Sequence, residues 1–394
     1  MRNRPDRTML AIGLLAAALN LRIGVAEVGP VLSDIRTDLG LSATAAGLLT
    51  TIPVVAFGAF AFLAPGLTRR VGMHRLLAAT MLVLAGGILL RLIPAASALF
   101  GGTVLVGAAI AVANVVMPAA IKRDFSHRVG LMMGLYSTAL FLGAALASGL
   151  TVPLAGISGG WRPALAWWAT PAAGAFLLLV PPLIRARHSG IRIIDGESDA
   201  DAGRAGLRSL LRNRAALSVT ALMGLQSMSY YATLTWVPTM LQDAGLGAHD
   251  AGWQLSFSAF PAIAAALAAP ALARRSRPTW LPIAVSALFL TTAFLGLAVA
   301  PTSAPYLWMT LLGIGQGSAI SLSLSYIVWR SRDPHHAAQL STLAQGIGYL
   351  FAGLGPIGLA ALHTATGSWA LPLAALIGLA VLQVLAGARA SRAG

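Results

Sequence analysis

The sequence predicts an all-α membrane protein of twelve transmembrane helices in two pseudo-symmetric six-helix bundles. Three observations predict it. Of 394 residues, 57% are hydrophobic and only 10% charged, whereas soluble domains run at about 45–50% and about 25%. The apolar residues gather into runs of the roughly 20 residues that one crossing of the hydrocarbon slab requires. The cations lie in the gaps between those runs.

The runs place spans at 8–31, 42–64, 75–94, 98–121, 131–156, 161–184, 215–241, 249–273, 280–300, 305–328, 340–362 and 369–388. So many crossings leave no room for a soluble catalytic domain. The N-terminal stretch resembles a signal peptide, but its apolar run continues through Asn20, Arg22 and Pro30, so it is read as the first span. Of the 27 Lys and Arg, 23 occupy the N-terminus, the C-terminus and the loops after spans two, four, six, eight and ten. Only Arg36 and Arg162 fall on the other side, and Arg22 and Arg91 lie inside spans. This asymmetry places both termini in the cytoplasm of a multi-pass protein of the cytoplasmic (inner) membrane. It also explains the net charge of +15 without nucleic acid, for which a folded basic domain would be expected.

The longest polar stretch, 185–214, divides the chain into an N-terminal six-helix bundle (1–184), a cytoplasmic linker (185–214) and a C-terminal six-helix bundle (215–394). The linker runs from Asp195, Glu197, Asp199 and Asp201 to the arginines from Arg204 to Arg214, and is read as a tether ending in a short surface helix. A weak repeat supports the division: Pro30 and Pro53 are 23 residues apart, as are Pro238 and Pro261. Two like halves with a solute site near the midplane are the layout of a secondary transporter.

Enzyme signatures are absent. There is no His-Glu-x-x-His, no Gly-x-Ser-x-Gly and no Walker loop. With no cysteine there are no disulfides or thiolate ligands, and the seven histidines show no ligand-like grouping. Neither cofactor nor metal is expected. The partners are a small-molecule solute, membrane lipid and, on one reading, protons, with the chain acting as a monomer.

Several segments resemble the cyanate transporter and 2-nitroimidazole transporter family of the major facilitator superfamily. In the first half these are Leu19-Asn20-Leu21-Arg22 with Val28-Gly29-Pro30, Ile121-Lys122-Arg123-Asp124-Phe125, Met133-Gly134-Leu135-Tyr136-Ser137 and Ala166-Trp167-Trp168-Ala169-Thr170-Pro171. In the second they are Gly224-Leu225-Gln226-Ser227, Gly313-Ile314-Gly315-Gln316-Gly317, Ala344-Gln345-Gly346-Ile347-Gly348-Tyr349 and Gly367-Ser368-Trp369. The resemblance implies the major facilitator fold, transport by alternating access, and a cavity lined by spans one, four, seven and ten. It therefore implies Asn114, Gln226, Tyr230 and Gln316 as solute contacts, against ordinary interhelical hydrogen bonding for the same side chains. Two departures stand out. Ile23 and Glu27 occupy places where many members have proline and a small residue. In Pro65-Gly66-Leu67-Thr68-Arg69-Arg70-Val71-Gly72, Arg69 stands where the superfamily usually has an acid.

The charges within spans carry the solute reading. If span one is centred near residue 20, helical rise puts Arg22 about 3 Å and Glu27 about 10 Å outward of the midplane. Arg91 lies about 9 Å outward in span three by the same rise. Burying such groups is costly, so they face protein and take partners. Arg91 is expected to pair with Glu27 or to reach backbone carbonyls or the interface. Arg22 is expected to receive an anion or strong dipole, or to bond Asn20, Gln226 or helix carbonyls. Glu27 has a second reading as a proton-coupling carboxyl. Asn20, Gly24 and Glu27 share one face at i, i+4 and i+7, with Arg22 turned away, so either that face or Arg22 looks inward. The expected function is a secondary active transporter of a small anionic or dipolar solute. The alternatives are an exporter of a small aromatic, drug-like compound and a non-transporting membrane sensor or scaffold.

Trp161, Trp253, Trp308 and Trp369 fall near span ends, as an interfacial aromatic belt would. Trp167 and Trp168 lie deeper. In span eleven Gly346, Gly348, Gly353, Gly355 and Gly358 with Pro356 allow close packing and a bend.

Overall fold

A computed structural model describes residues 4–188 and 209–392. Most of the predicted linker, with its surface helix, lies outside the described residues. Span one is α1 (Arg4–Ala26), a 3-10 turn (Gly29–Val31) and α2 (Leu32–Asp38); span two is α3 (Ala43–Ala61) and α4 (Ala64–Val71). Spans three to six are α5 (Met73–Leu90), α6 (Ala96–Asp124), α7 (Val129–Ser158), and α8 (Trp161–Trp167) with α9 (Ala169–His188). Spans seven to nine are α10 (Arg214–Asp243), α11 (Ala248–Phe257) with α12 (Ala259–Arg275), and α13 (Leu281–Val299). Spans ten to twelve are α14 (Pro305–Trp329), α15 (Pro334–Ala352) with α16 (Leu354–Thr366), and α17 (Ala370–Arg392). No strand occurs among the described residues.

Ten of these stretches are long and apolar enough to cross a membrane, and α3 with α4, bent by 61°, makes another. The remaining span is α10, 30 residues long, whose amides, serines, threonines and tyrosines dilute its hydropathy. Asn213 starts it cleanly: its side-chain oxygen accepts from the backbone N–H of Ala215 and Ala216 at 2.8 and 3.2 Å, as an N-cap should.

Several predicted continuous spans are interrupted, and the sequence explains where. Span one stops at Ala26 before Gly29-Pro30, because proline supplies no N–H to continue the ladder. Span eleven is interrupted at Gly353, three residues before Pro356. The break in span one is packed by Val28, Val31, Ile35, Leu49, Leu99 and Trp161. Trp161 is thus 6% exposed, buried in the bundle rather than displayed in the expected interfacial belt. Trp253 is 55% exposed. Many other large apolar side chains on helix flanks, such as Leu177, Leu288 and Ile357, are exposed, as lipid contact permits.

The contacts form two compact units. One comprises Met1–Ser126, Ala139–Gly206 and Asp333–Thr342; the other comprises His127–Thr138, Leu207–Arg332 and Leu343–Gly394. The helix pairings repeat. In the first unit α6 packs on α3 and α5, α9 packs on α1 and α5, and α1 also packs on α6. In the second, α14 packs on α12 and α13, α17 packs on α10 and α13, and α10 also packs on α14. The repeated prolines take part: a Cβ on Gly107 would meet Pro53 Cα at 3.3 Å, and one on Gly313 would meet Pro261 Cγ at 2.8 Å.

Candidate functional site

Span one carries the charges, and its neighbours sort them. On one face, a Cβ at Gly24 would come within 3.0 Å of Val106 Cγ1 and 3.2 Å of Leu84 Cδ1, so this face lies against α5 and α6. The two partner helices themselves approach closely at Gly87 and Gly102, where a Cβ on Gly102 would meet Gly87 O at 2.5 Å and Arg91 Cγ at 2.9 Å. Arg91, at the end of α5, reaches from there to span one. Its Nη1 donates to Glu27 Oε1 at 2.5 Å and to Gly24 O at 3.1 Å. Both side chains are fully buried. Glu27 lies just past the end of α1 and still donates its N–H to Ile23 O at 3.0 Å.

Two turns back, Asn20 is 1% exposed. Its amide nitrogen donates to Ala16 O at 2.8 Å, and its Oδ1, shielded from solvent, has no hydrogen-bond partner among the described residues. Arg22 is 8% exposed. At 3.6 residues per turn it sits about 200° around the helix from Gly24, away from the face that carries the ion pair. Span one therefore presents two charged faces, and the Gly24–Glu27 face is packed inside its own unit. Asn114 of α6 is buried in the same unit.

The second unit offers neutral polar groups. Gln226 of α10 is buried, and its amide nitrogen donates to Ser227 Oγ at 2.6 Å. Tyr230 and Tyr231 meet edge to face with centroids 5.3 Å apart, and Tyr231 meets Tyr349 at 6.4 Å. Gln316 of α14 is 9% exposed, and its shielded amide nitrogen has no hydrogen-bond partner among the described residues. Neighbouring hydroxyls behave differently: Ser321 donates to Ala266 O at 2.6 Å and Ser286 to Gly315 O at 2.8 Å, tying α14 to α12 and α13.

Some polar pairs were not anticipated by sequence reasoning. His74 Nε2 lies 2.6 Å from Asp124 Oδ2, joining the start of α5 to the end of α6. The signal was available, since antiparallel neighbouring spans bring the start of one level with the end of the other. Arg162 meets Asp38 at 2.6 Å and lies 4.4 Å over the Trp161 ring. Trp168 donates to Thr151 Oγ1 at 2.9 Å, while Trp167 is 55% exposed. Trp308 donates to Ala300 O and Trp369 to Asp243 Oδ2. Among the described residues no group of His, Asp and Glu could hold a metal ion.

A family model described as Major Facilitator Superfamily matches residues 10–356. The chain belongs to the Major Facilitator Superfamily. Within it, the protein is 37% identical over 385 residues to the uncharacterized transporter YycB of Bacillus subtilis, covering 97% of this chain and 93% of that one. It is 34% identical to the 2-nitroimidazole transporter of Escherichia coli over 96% of this chain and 94% of the relative. It is 32% identical to the cyanate transport protein CynX of Escherichia coli over 94% and 95%. Among solved structures it shares the fold of the major facilitator superfamily transporter FucP, with a TM-score of 0.75, 15% identity and coverage of 98% and 99%. The proton:xylose symporter XylE gives a TM-score of 0.72 at 15% identity, covering 96% of this chain and 94% of that one. This superfamily member is thus a multi-pass secondary transporter of small molecules and not an enzyme.

Proposed function

We propose that this transporter carries a small anionic or strongly dipolar solute, with Arg22 as its principal electrostatic contact. The observation that carries the reading is a buried guanidinium on span one, about 200° around the helix from Gly24, at a depth that helical rise puts near mid-membrane. A guanidinium offers parallel N–H donors in a rigid fork, which suits a compact anion or a nitro group better than a point charge does. Asn20 and Asn114 in the first unit, and Gln226, Tyr230 and Gln316 in the second, are proposed as neutral hydrogen-bonding contacts during the cycle. The relatives named for cyanate and 2-nitroimidazole transport are consistent with a small, polarised cargo.

We assign Glu27 and Arg91 to a structural ion pair that holds the broken end of span one against α5. The cation asymmetry of the loops supports a cytoplasmic-membrane location with both termini cytoplasmic. The repeated helix pairings support two six-span halves, 1–184 and 215–394, joined by 185–214.

Uptake of labelled cyanate and 2-nitroimidazole by proteoliposomes tests the reading, with and without a pH gradient. Arg22→Ala is expected to lose uptake while its melting temperature stays within a few degrees of wild type. Normal uptake by that variant would defeat the anion reading. The tyrosine cluster favours a second reading, export of a small aromatic compound. In that case Tyr230→Ala should reduce 2-nitroimidazole transport more than Arg22→Ala does.

A further inference from the structure

A cavity of about 300 Å³ lies where α4 and α6 end and α15 begins, lined among others by Thr68, Arg69, Arg123, Asp333, His335 and Gln339. All of these residues belong to the first compact unit. The volume is at the small end of ligand pockets, enough for a headgroup-sized guest. Three features give it an anion-binding character. Arg69 and Arg123 supply two forked cations, and Lys122 adjoins Arg123 in sequence. The pocket wall includes the first turn of α15, a 19-residue helix, whose dipole favours negative charge. Thr68 Oγ1, lining the same cavity, is shielded from solvent and has no hydrogen-bond partner among the described residues. The one acid in the wall is already engaged: Asp333 Oδ1 accepts the His336 N–H at 2.8 Å, and its charge acts on Lys122.

We propose that this pocket binds a phosphoryl anion, held by Arg69 and Arg123 with Thr68 donating. Two sources share that chemistry: the phosphodiester of an anionic phospholipid, and soluble phosphate. The loops bearing these residues are the cation-rich ones, which the charge asymmetry places at the cytoplasmic leaflet.

The test measures the melting temperature of the full-length protein in a neutral detergent. Dioctanoyl-phosphatidylglycerol, dioctanoyl-phosphatidylcholine and inorganic phosphate are each added, with chloride controls at matched ionic strength. A rise of several degrees with phosphatidylglycerol but not phosphatidylcholine or phosphate establishes a lipid site. A rise with inorganic phosphate as well establishes a general phosphoryl site. Either rise should vanish, with apparent affinity at least tenfold weaker, in Arg69→Gln/Arg123→Gln. Should that variant fail to fold, Gln339→Glu, which places a negative charge in the same wall without removing a cation, must abolish the rise alone. Arg128→Gln, a surface cation outside the pocket, should retain it. No anion-specific rise in wild type, or a rise that survives both pocket variants, overturns the proposal. The readout does not involve transport, so it is independent of the Arg22 assignment.

Discussion

The two halves share a packing scheme but differ in how they handle polarity within the membrane. The first six spans bury ionisable groups: Arg22, Glu27 and Arg91 are all under 10% exposed. The last six carry no charged residue between their first and last turns, and instead bury amides and hydroxyls such as Gln226, Gln316 and Gln345. An ion in hydrocarbon is far more expensive than an amide, so the charges in the first half call for a specific use. Glu27 and Arg91 form a buried ion pair with each other. On the proposed function, Arg22 distinguishes the halves electrostatically, with recognition of charge in the first half and shape and hydrogen bonding in the second.

The largest effect is expected from breaking the pair. Glu27→Ala or Arg91→Ala leaves one uncompensated charge at a fully buried site, which costs about 3–5 kcal/mol. Either single variant should fail to accumulate or should melt well below wild type in detergent. Replacing both residues with leucine should recover most of that loss, because buried ion pairs exchanged for apolar groups are often neutral. If the double variant is no better than the singles, the two residues are not acting as a pair. Glu27→Gln adds a separate check: the pH response of uptake should be unchanged relative to wild type in whatever fraction folds, and a lost response would return Glu27 to proton coupling.

Next comes the comparison within the charged half. Arg22→Lys keeps the charge but loses the fork, and should lower apparent solute affinity about tenfold, corresponding to about 1.4 kcal/mol. Equal affinity in the lysine variant would show that only charge matters there, and a planar-anion preference would go with it.

Much of this was legible in the sequence, for reasons that can be named. Span count and orientation follow from apolar run length and loop cations, both of which act over whole segments and tolerate error. The 23-residue proline spacing signalled the repeat, and Pro53 and Pro261 each pack against a glycine, Gly107 in span four and Gly313 in span ten. The Glu27–Arg91 alternative was readable because the two residues share a depth. What was not legible depends on rotation and contact. Whether the Gly24–Glu27 face or the Arg22 face packed inward needed Val106 and Leu84 to be seen against Gly24. The breaks at Trp168 and Ser258 do carry a local signal that the continuous spans passed over, since each falls three residues before a proline, Pro171 and Pro261, as Gly353 does before Pro356. The pocket around Arg69 draws on residues more than 200 positions apart in the chain, beyond any periodicity.

The glycines at these two helix crossings allow the packing to be tested. Gly313→Ala would place a Cβ 2.2 Å from Ser258 O, a backbone atom with little freedom, whereas Gly107→Ala meets Ala56 Cβ at 2.6 Å. Both substitutions overpack a helix crossing and should destabilise by about 1–3 kcal/mol, with Gly313→Ala the more severe. Thermal unfolding of the two variants measures this. A tolerated Gly313→Ala would mean that spans eight and ten are not held at that crossing.

The smallest effects separate glue from contact in the neutral half. Ser321 and Gln316 lie on the same helix, about a turn and a half apart, and both are buried. The Ser321 hydroxyl is bonded to Ala266 O, so Ser321→Ala removes an interhelical hydrogen bond and should cost about 0.6 kcal/mol of stability without changing uptake. The Gln316 amide nitrogen is desolvated and, among the described residues, has no hydrogen-bond partner. Leaving a buried donor unsatisfied is itself unfavourable, so Gln316→Leu should be neutral or slightly stabilising while lowering uptake. Thermal melts and proteoliposome uptake on the two variants give a crossed pattern if Gln316 touches the solute. If Gln316→Leu instead melts lower and transports normally, its amide is packing the helices, and the second half contributes less to recognition than proposed.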